Sequence, residues 1–431
     1  MRLHLFYIIN FVLLFLSNSH AQLFKKNVQE AEKHIKEIKE DEIPSIIDSI
    51  SLQENLNKKS KTINIPETRK SIKKDQYFID VLIALDLDDL ENRNINSFRK
   101  LTRNEKNLIQ LIEGMQLAID TLNQDQKAII LRIHDIKSKE KNDIKKDLES
   151  SDLIISHLLS DDLEKVCKWI GQKEIMHFST LSPKDPGITE NPYFYIFNSK
   201  LHTHIEELLL FGQSRFENDP KFFIYENSTH LNEENFNKFN TFFGNNAISS
   251  FDWLHENTKN SLKEILLPNR TNVLYFNTMN PKYIKEILDF LAEFSEEETY
   301  EFAIMTMPNW VNFIRNKDWP NSFNFFSTEV FYYDQLGALS EWINASYENR
   351  HGDNANNMVY KGFELIFSLG NALHKHGNLF GNELTNGHTI WNFSRFNFQA
   401  QYDEEEDKFL YYENVRLNII YQHKNQSELF K

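Results

Sequence analysis

From residue 77 onward the chain alternates between two hydrophobic periods, and this rhythm limits what it can fold into. Near-continuous apolar runs occupy 78–85, 128–135, 152–156 and 175–179. Runs of this kind suit strands buried on both faces. Between them apolar residues recur at three and four, as at Leu108, Leu111, Ile112, Met115, Ile119 and Leu122, and again at Leu163, Val166 and Ile170. That is the period of an amphipathic helix. Strand, helix and strand joined by short connections predict a mainly parallel sheet covered on both sides.

The rhythm repeats after Asn198. Helices are expected at 201–215, 232–243, 255–266 and 281–294, with strands at 222–225, 247–251, 272–277 and 301–305. A helix-rich stretch follows over 335–376. Aromatic, alternating segments near 389–398 and 409–420 then read as an antiparallel hairpin, with Asp403 to Asp407 as its acidic turn.

Composition removes several chemistries. One Cys in 431 residues cannot make an internal disulfide, a cysteine zinc site or a cysteine-held iron–sulfur cluster. Cys167, in an apolar helical stripe, reads as a small core residue. Twelve glycines are few; none are spaced for a phosphate loop or a dinucleotide fingerprint, and no Gly-x-Ser-x-Gly nucleophile elbow occurs. The net charge of −15 argues against nucleic acid or anionic lipid as partner. It is concentrated in residues 76–431, which hold 35 Lys+Arg against 53 Asp+Glu.

Residues 1–21 read as a signal peptide. Arg2 precedes an apolar run from Leu5 to Leu16, and Ser19-His20-Ala21 offers small residues before a cut. The run is short for a membrane span, so the mature chain is expected not to cross a bilayer and to be periplasmic or secreted. Residues 22–75 are rich in Lys, Glu, Ser, Ile and Asn. They read as a charged, partly helical tether, since the apolar stripe Val28, Ala31, Ile35 and Ile38 is narrow.

Several local patterns, taken in order, resemble one family. The opening strand leads to Glu113-Gly114-Met115-Gln116-Leu117-Ala118-Ile119-Asp120. Then come Asp152 to Ser160, Phe178-Ser179-Thr180-Leu181-Ser182-Pro183, and Asn191-Pro192-Tyr193-Phe194-Tyr195. A helix pair around Trp342 to Phe367 carries Tyr347 and Tyr360-Lys361-Gly362-Phe363. Over residues 76–422 this order is similar to the type I periplasmic binding proteins of the leucine/isoleucine/valine-binding type, and more narrowly to a Bacteroidetes envelope subgroup. The resemblance implies an α/β fold of two lobes, each a mainly parallel sheet flanked by helices, with three hinge crossovers. It places 76–198 plus 334–384 in lobe one and 199–333 plus 385–431 in lobe two.

In such a fold a ligand lies between the lobes, at the carboxyl ends of the strands. The candidate ligand-binding residues are then Ser156, Ser160, Ser179, Thr180 and Ser182 from lobe one, and Tyr225, Asn227, Asn277, Asn309 and Trp310 from lobe two. The hydroxyls and nearby amides suit a carboxylate, and Trp310 suits stacking or an apolar wall. Each has an ordinary alternative role; Ser160 is well placed to cap the helix that follows. Two positions depart from the family. Ser156 stands where a glycine is expected. Pro308-Asn309 stands where amino-acid binders place a carboxylate for the ligand's ammonium.

No catalytic set, metal site or cofactor is expected. His202 and His204, like His374 and His376, are spaced two apart on a helix and face different ways, so surface or capping roles fit them. The primary expectation is an exported, non-catalytic solute-binding protein. Its ligand would be small: an amino acid, a peptide or a cell-wall fragment. The alternative is an interaction or regulatory module of the cell envelope that has lost ligand binding and engages an envelope protein.

Overall fold

The structure is a computed structural model. It describes residues 69–93, 100–124, 128–138, 141–171, 173–226, 249–294, 299–314, 318–333, 337–386, 391–403, 408–423 and 426–430. The expected signal peptide, most of the tether, the helix at 232–243 and most of the acidic turn lie outside the described residues.

Among the described residues, fourteen strands form two seven-stranded sheets. The first sheet contains β1 (Gln76–Ile83), β2 (Ala128–Asp135), β3 (Leu153–Ser156), β4 (Met176–Ser179) and β5 (Phe194–Ile196). Its order is completed by β12 (Phe409–Asn414) and β11 (Phe398–Tyr402), giving β11-β12-β5-β4-β3-β1-β2. The second contains β6 (Lys221–Tyr225), β7 (Ser249–Asp252), β8 (Thr271–Asn277), β9 (Glu301–Thr306), β10 (Phe323–Glu329), β13 (Asn418–His423) and β14 (Gln426–Leu429). Its order is β14-β13-β10-β9-β8-β6-β7. Each sheet thus has five parallel strands wound 2-1-3-4-5, followed by a late pair from the end of the chain.

The helices fall between the strands as the periodicity requires. They are α1 (Leu87–Asn92), α2 (Arg103–Gln124), α3 (Lys141–Asp147), α4 (Ser160–Ile170), α5 (Leu201–Arg215), α6 (Thr258–Ile265), α7 (Pro281–Phe294), α8 (Val311–Ile314), α9 (Ala338–His351), α10 (Asn357–His376) and α11 (Gly381–Thr385). The stripe of α2 is buried at Leu111, Met115, Leu117, Ala118, Ile119 and Leu122. Its partner is α10, and the two cross at glycines. A Cβ on Gly114 would lie 2.1 Å from the Val359 carbonyl oxygen, and one on Gly362 would lie 2.0 Å from that of Leu111. Only hydrogen fits at these two points, so the helix backbones touch.

The first sheet's core runs from Tyr77 and Val81 through Phe178 and Phe197 to Phe363 and Leu369. The second lobe has a separate core around Phe223, Phe276, Phe302, Trp310 and Phe323. Cys167 is buried and unpaired in a smaller cluster beneath α4, and burial pushes its thiol up to about 12.

The C-terminal strands correct the expected layout. The hairpin at 389–398 and 409–420 is instead β11 with β12, antiparallel, and both belong to the first sheet through β12–β5 pairing. Only β13 and β14 join the second sheet. The expected run 409–420 is therefore two strands in two different sheets. Alternation repeats through both, but Val415, Arg416 and Leu417 carry the chain from one sheet to the other. Strands β5 and β10 also went unpredicted. Each reads as aromatic filler rather than as a bounded run: Phe194-Tyr195-Ile196 and Phe323-Asn324-Phe325-Phe326.

Candidate functional site

Three passages link the sheets: β5 to α5 across 197–200, β10 to α9 by way of 330–333, and β12 to β13 across 415–417. All three leave the carboxyl ends of strands. The carboxyl ends of both sheets therefore meet at the hinge, where a cleft of this topology opens.

The hinge is laced by its third passage. Asn414 is fully buried, and its amide donates to the carbonyls of Phe197 (3.3 Å) and Arg416 (2.9 Å). Its Oδ1 accepts from the backbone of Asn397 (3.1 Å) and Arg416 (3.2 Å). Ser199 Oγ donates to the Asn414 carbonyl. Beside it, buried Glu413 accepts from Lys200 N (2.8 Å) and Thr203 Oγ1 (3.0 Å). Desolvation holds its carboxyl above the usual range, against the lowering pull of those bonds. Asn418 Nδ2 reaches the carbonyls of Glu329 (3.2 Å) and Val330 (3.3 Å), tying the third passage to the second.

The lobe-one candidates converge, and they face one another. Ser156, at the end of β3, is hydrogen-bonded to His177 Nε2 at 2.7 Å. Burial holds that imidazole down at about 3, so it is neutral. Thr180 Oγ1 is 2.9 Å from His157 Nδ1. Desolvation, and secondarily the nearby Lys361 charge, keep His157 well below the usual imidazole range. Ser160 Oγ is 3.0 Å from Ser182 Oγ, and Ser179 Oγ donates to the Ser182 carbonyl at 3.4 Å. Ser160 is the first residue of α4 and Leu159 its N-cap, so the expected serine cap is not formed.

The lobe-two candidates are more scattered. Trp310 is fully buried, its indole N–H donating to the Thr278 carbonyl at 2.8 Å and its ring stacked on Phe276 at 5.1 Å. It belongs to the lobe-two core rather than to a cleft wall, because its large ring fills the space under the end of β8. Asn309 donates to the Met279 carbonyl at 3.0 Å, tying two cleft-end loops together. Asn277 is buried at the end of β8, and half-buried Tyr225 ends β6. Asn227 lies outside the described residues.

Sequence reasoning missed the polar face of α10. Lys361 Nζ donates to the Thr180 carbonyl at 2.8 Å and sits 4.1 Å from the centroid of the Phe331 ring. The side chain is half-buried, and desolvation pushes its ammonium down to about 7. One turn on, buried Glu364 accepts from the backbone of Phe393 (2.9 Å) and Ser394 (2.8 Å) and from Ser394 Oγ (3.0 Å). Desolvation, only partly offset by these bonds, raises it to about 7. The signal was in the sequence: Lys361 and Glu364, three apart, interrupt the otherwise apolar run 358–367.

The histidine pairs have other partners. His204 is buried and bonds Thr328 Oγ1 through Nδ1 at 2.8 Å, so it fastens α5 to β10 rather than lying on the surface. His374 packs edge-on against Tyr77 at 5.5 Å. Among the described residues no group of three His, Cys, Asp or Glu is arranged to hold a metal, and no helix is long and apolar enough to cross a membrane. An open depression of about 400 Å³ lies at the opposite, amino-terminal ends of β8 and β9, bordered by Asp219, Arg270 and Glu301.

Two seven-stranded sheets of matching order, joined by three passages at their carboxyl ends, define a two-lobed α/β protein of the hinge-and-cleft class. Its fold is that of the type I periplasmic binding proteins, as comparison with solved structures shows. A Rhodospirillum rubrum protein named as a branched-chain amino acid ABC transporter superposes with a TM-score of 0.55 at 8% identity, covering 82% of this chain and all of that one. An ABC transporter substrate-binding protein from Desulfitobacterium hafniense gives 0.52 at 12% identity, over 82% and 100% of the two chains. A branched chain amino acid ABC transporter periplasmic ligand-binding protein from Burkholderia xenovorans gives 0.51 at 11% identity, over 83% and 95%. No known family model matches the sequence, and no curated protein matches it.

Proposed function

We propose that the chain is an exported, non-catalytic binding protein that closes its two lobes on a small ligand, and that this ligand is not a free α-amino acid. The hinge supports the closing motion: buried Asn414 bonds the first and third passages together, while Asn418 joins the third to the second. Such a joint lets lobes rotate about a few fixed contacts.

The observation that carries the ligand choice is the inward pairing of the lobe-one turns. Ser156 with His177, Thr180 with His157 and Ser160 with Ser182 already hydrogen-bond within lobe one, so a ligand carboxylate would have to compete for these hydroxyls. Lys361 already occupies the Thr180 carbonyl, where an ammonium would otherwise donate. Breaking such a bond without replacing it costs about 1–3 kcal/mol. The same pairing favours a second reading, an envelope interaction module whose cleft no longer takes solute.

A thermal-shift screen of amino acids, short peptides, organic acids and cell-wall fragments separates these readings, with small-angle scattering to detect closure. A raised melting temperature and a smaller radius of gyration with a ligand other than a free amino acid support the first reading. Stabilisation by leucine or isoleucine would remove the ligand assignment. No shift with any class, together with a specific protein recovered by crosslinking in intact cells, would favour the second.

A further inference from the structure

Lys361 is a half-buried cation held against a carbonyl and an aromatic ring. Its Nζ bonds the Thr180 carbonyl at the carboxyl end of β4 and rests over Phe331 on the second hinge passage. Among the described residues no carboxylate pairs with it. An ammonium carries three donors, and a carbonyl uses one. Holding an unpaired charge away from water is costly, and a nearby anion relieves the cost. This cation persists in a body with 53 acidic against 35 basic residues. Two apolar side chains lie in the loops nearby: Phe331 is half-buried, and Leu159, two residues after His157, is 69% exposed.

We propose that Lys361 is the anchoring cation of the cleft and that the ligand presents a carboxylate on an apolar body. The inference rests on the closing-cleft reading. The carboxylate takes the ammonium's free N–H donors while Thr180 keeps the third, a charge-assisted contact in a water-poor site. The titratable group that senses the ammonium is His157 from the β3–α4 turn; Glu364, one turn along the same helix, is bonded instead to Phe393 and Ser394, and Tyr333 lies on the second passage. Burial holds His157 well below the usual imidazole range and Tyr333 well above its own, so Lys361 and Glu364, both near 7, are the groups that change charge near neutrality. A carboxylate requires the protonated lysine, so its affinity falls as pH rises through the free-state value.

Titration calorimetry on the full chain tests this with four probes: hexanoate, hexanamide, and N-acetyl-Ala-Ala-Leu as free acid and as amide. At least one acid is expected to bind more than tenfold tighter than its amide. Hexanoate alone assigns a small organic acid, and the peptide acid alone assigns a peptide C-terminus. Lys361→Met should lose more than tenfold, while Lys361→Arg stays close to wild type. From pH 6.5 to 8.5 the wild-type affinity should fall roughly twentyfold, with proton uptake on binding at the higher pH. Lys361→Arg should abolish that slope, and Glu364→Gln should retain it. Amides binding as well as acids, an unchanged Lys361→Met, or no acid binding at all overturns the proposal. The closing reading survives if a neutral solute still contracts the protein in scattering.

Discussion

Ser199 and Asn414 lie 215 positions apart, yet Ser199 Oγ donates to the Asn414 carbonyl and the Asn414 amide returns toward Ser199 Oγ at 3.4 Å. The pair closes the hinge between the first and third passages. Asn414 is fully buried and spends its whole side-chain amide on backbone and Ser199. Asn414→Ala leaves several buried groups unpaired and should cost roughly 3 kcal/mol, read from the urea midpoint. A loss under about 1 kcal/mol would mean that water replaces the amide.

Gly362 and Gly114 set the distance between α10 and α2. Gly362→Ala drives a methyl into the Leu111 carbonyl, 2.0 Å from the ideal Cβ position, and backbone cannot swing aside as a side chain can. Overpacking of this kind typically costs about 1–3 kcal/mol, occasionally more. The expected outcome is a lower melting temperature with an unchanged far-ultraviolet spectrum. A neutral Gly362→Ala would show that the helices slide apart freely.

Glu364 has a carboxyl raised from 4.5 to about 7 by burial, so the folded state prefers its protonated form. Its contribution is then fully present below the unfolded value and is lost as pH rises through the folded one. Stability of wild type relative to Glu364→Gln should fall between pH 4.5 and 7, by roughly 3 kcal/mol in all. Chemical denaturation across that range provides the check, and a flat difference contradicts it.

Ser156→Ala should leave His177 Nε2 buried without its 2.7 Å partner, at about 1–3 kcal/mol. If the lobe-one turn serves the core, ligand affinity changes less than twofold while stability drops. A large loss of affinity at unchanged stability would return Ser156 to the binding surface.

The repeating β/α units were legible because strands such as β2 and helices such as α5 and α7 have clear periods; all three match the expected ranges. The destination of the last strands was not. Period-2 alternation marks β12 and β13 alike, and only the pairing of Tyr412 with Tyr195 and of Thr328 with Ile419 assigns them to different sheets. At the cleft, residue type and position pointed to the hydroxyls, since they follow β3 and β4. Sequence could not show that His157 and His177 would turn toward them. Nor could it show that Lys361, from a helix 181 positions after Thr180, would arrive at the same carbonyl.

The late strands also govern when each lobe can exist. The first sheet begins at Gln76 but is finished by β11 and β12, after the whole second-lobe β/α series has been made. The second sheet waits in turn for β13 and β14. Neither lobe is a contiguous stretch that can fold to completion as it emerges from the ribosome, and pairing across such separations is slow. Truncation anywhere before residue 430 should therefore damage the second sheet, and truncation before 409 should damage both. The C-terminal thirty residues act as a common latch on two otherwise separate folding units.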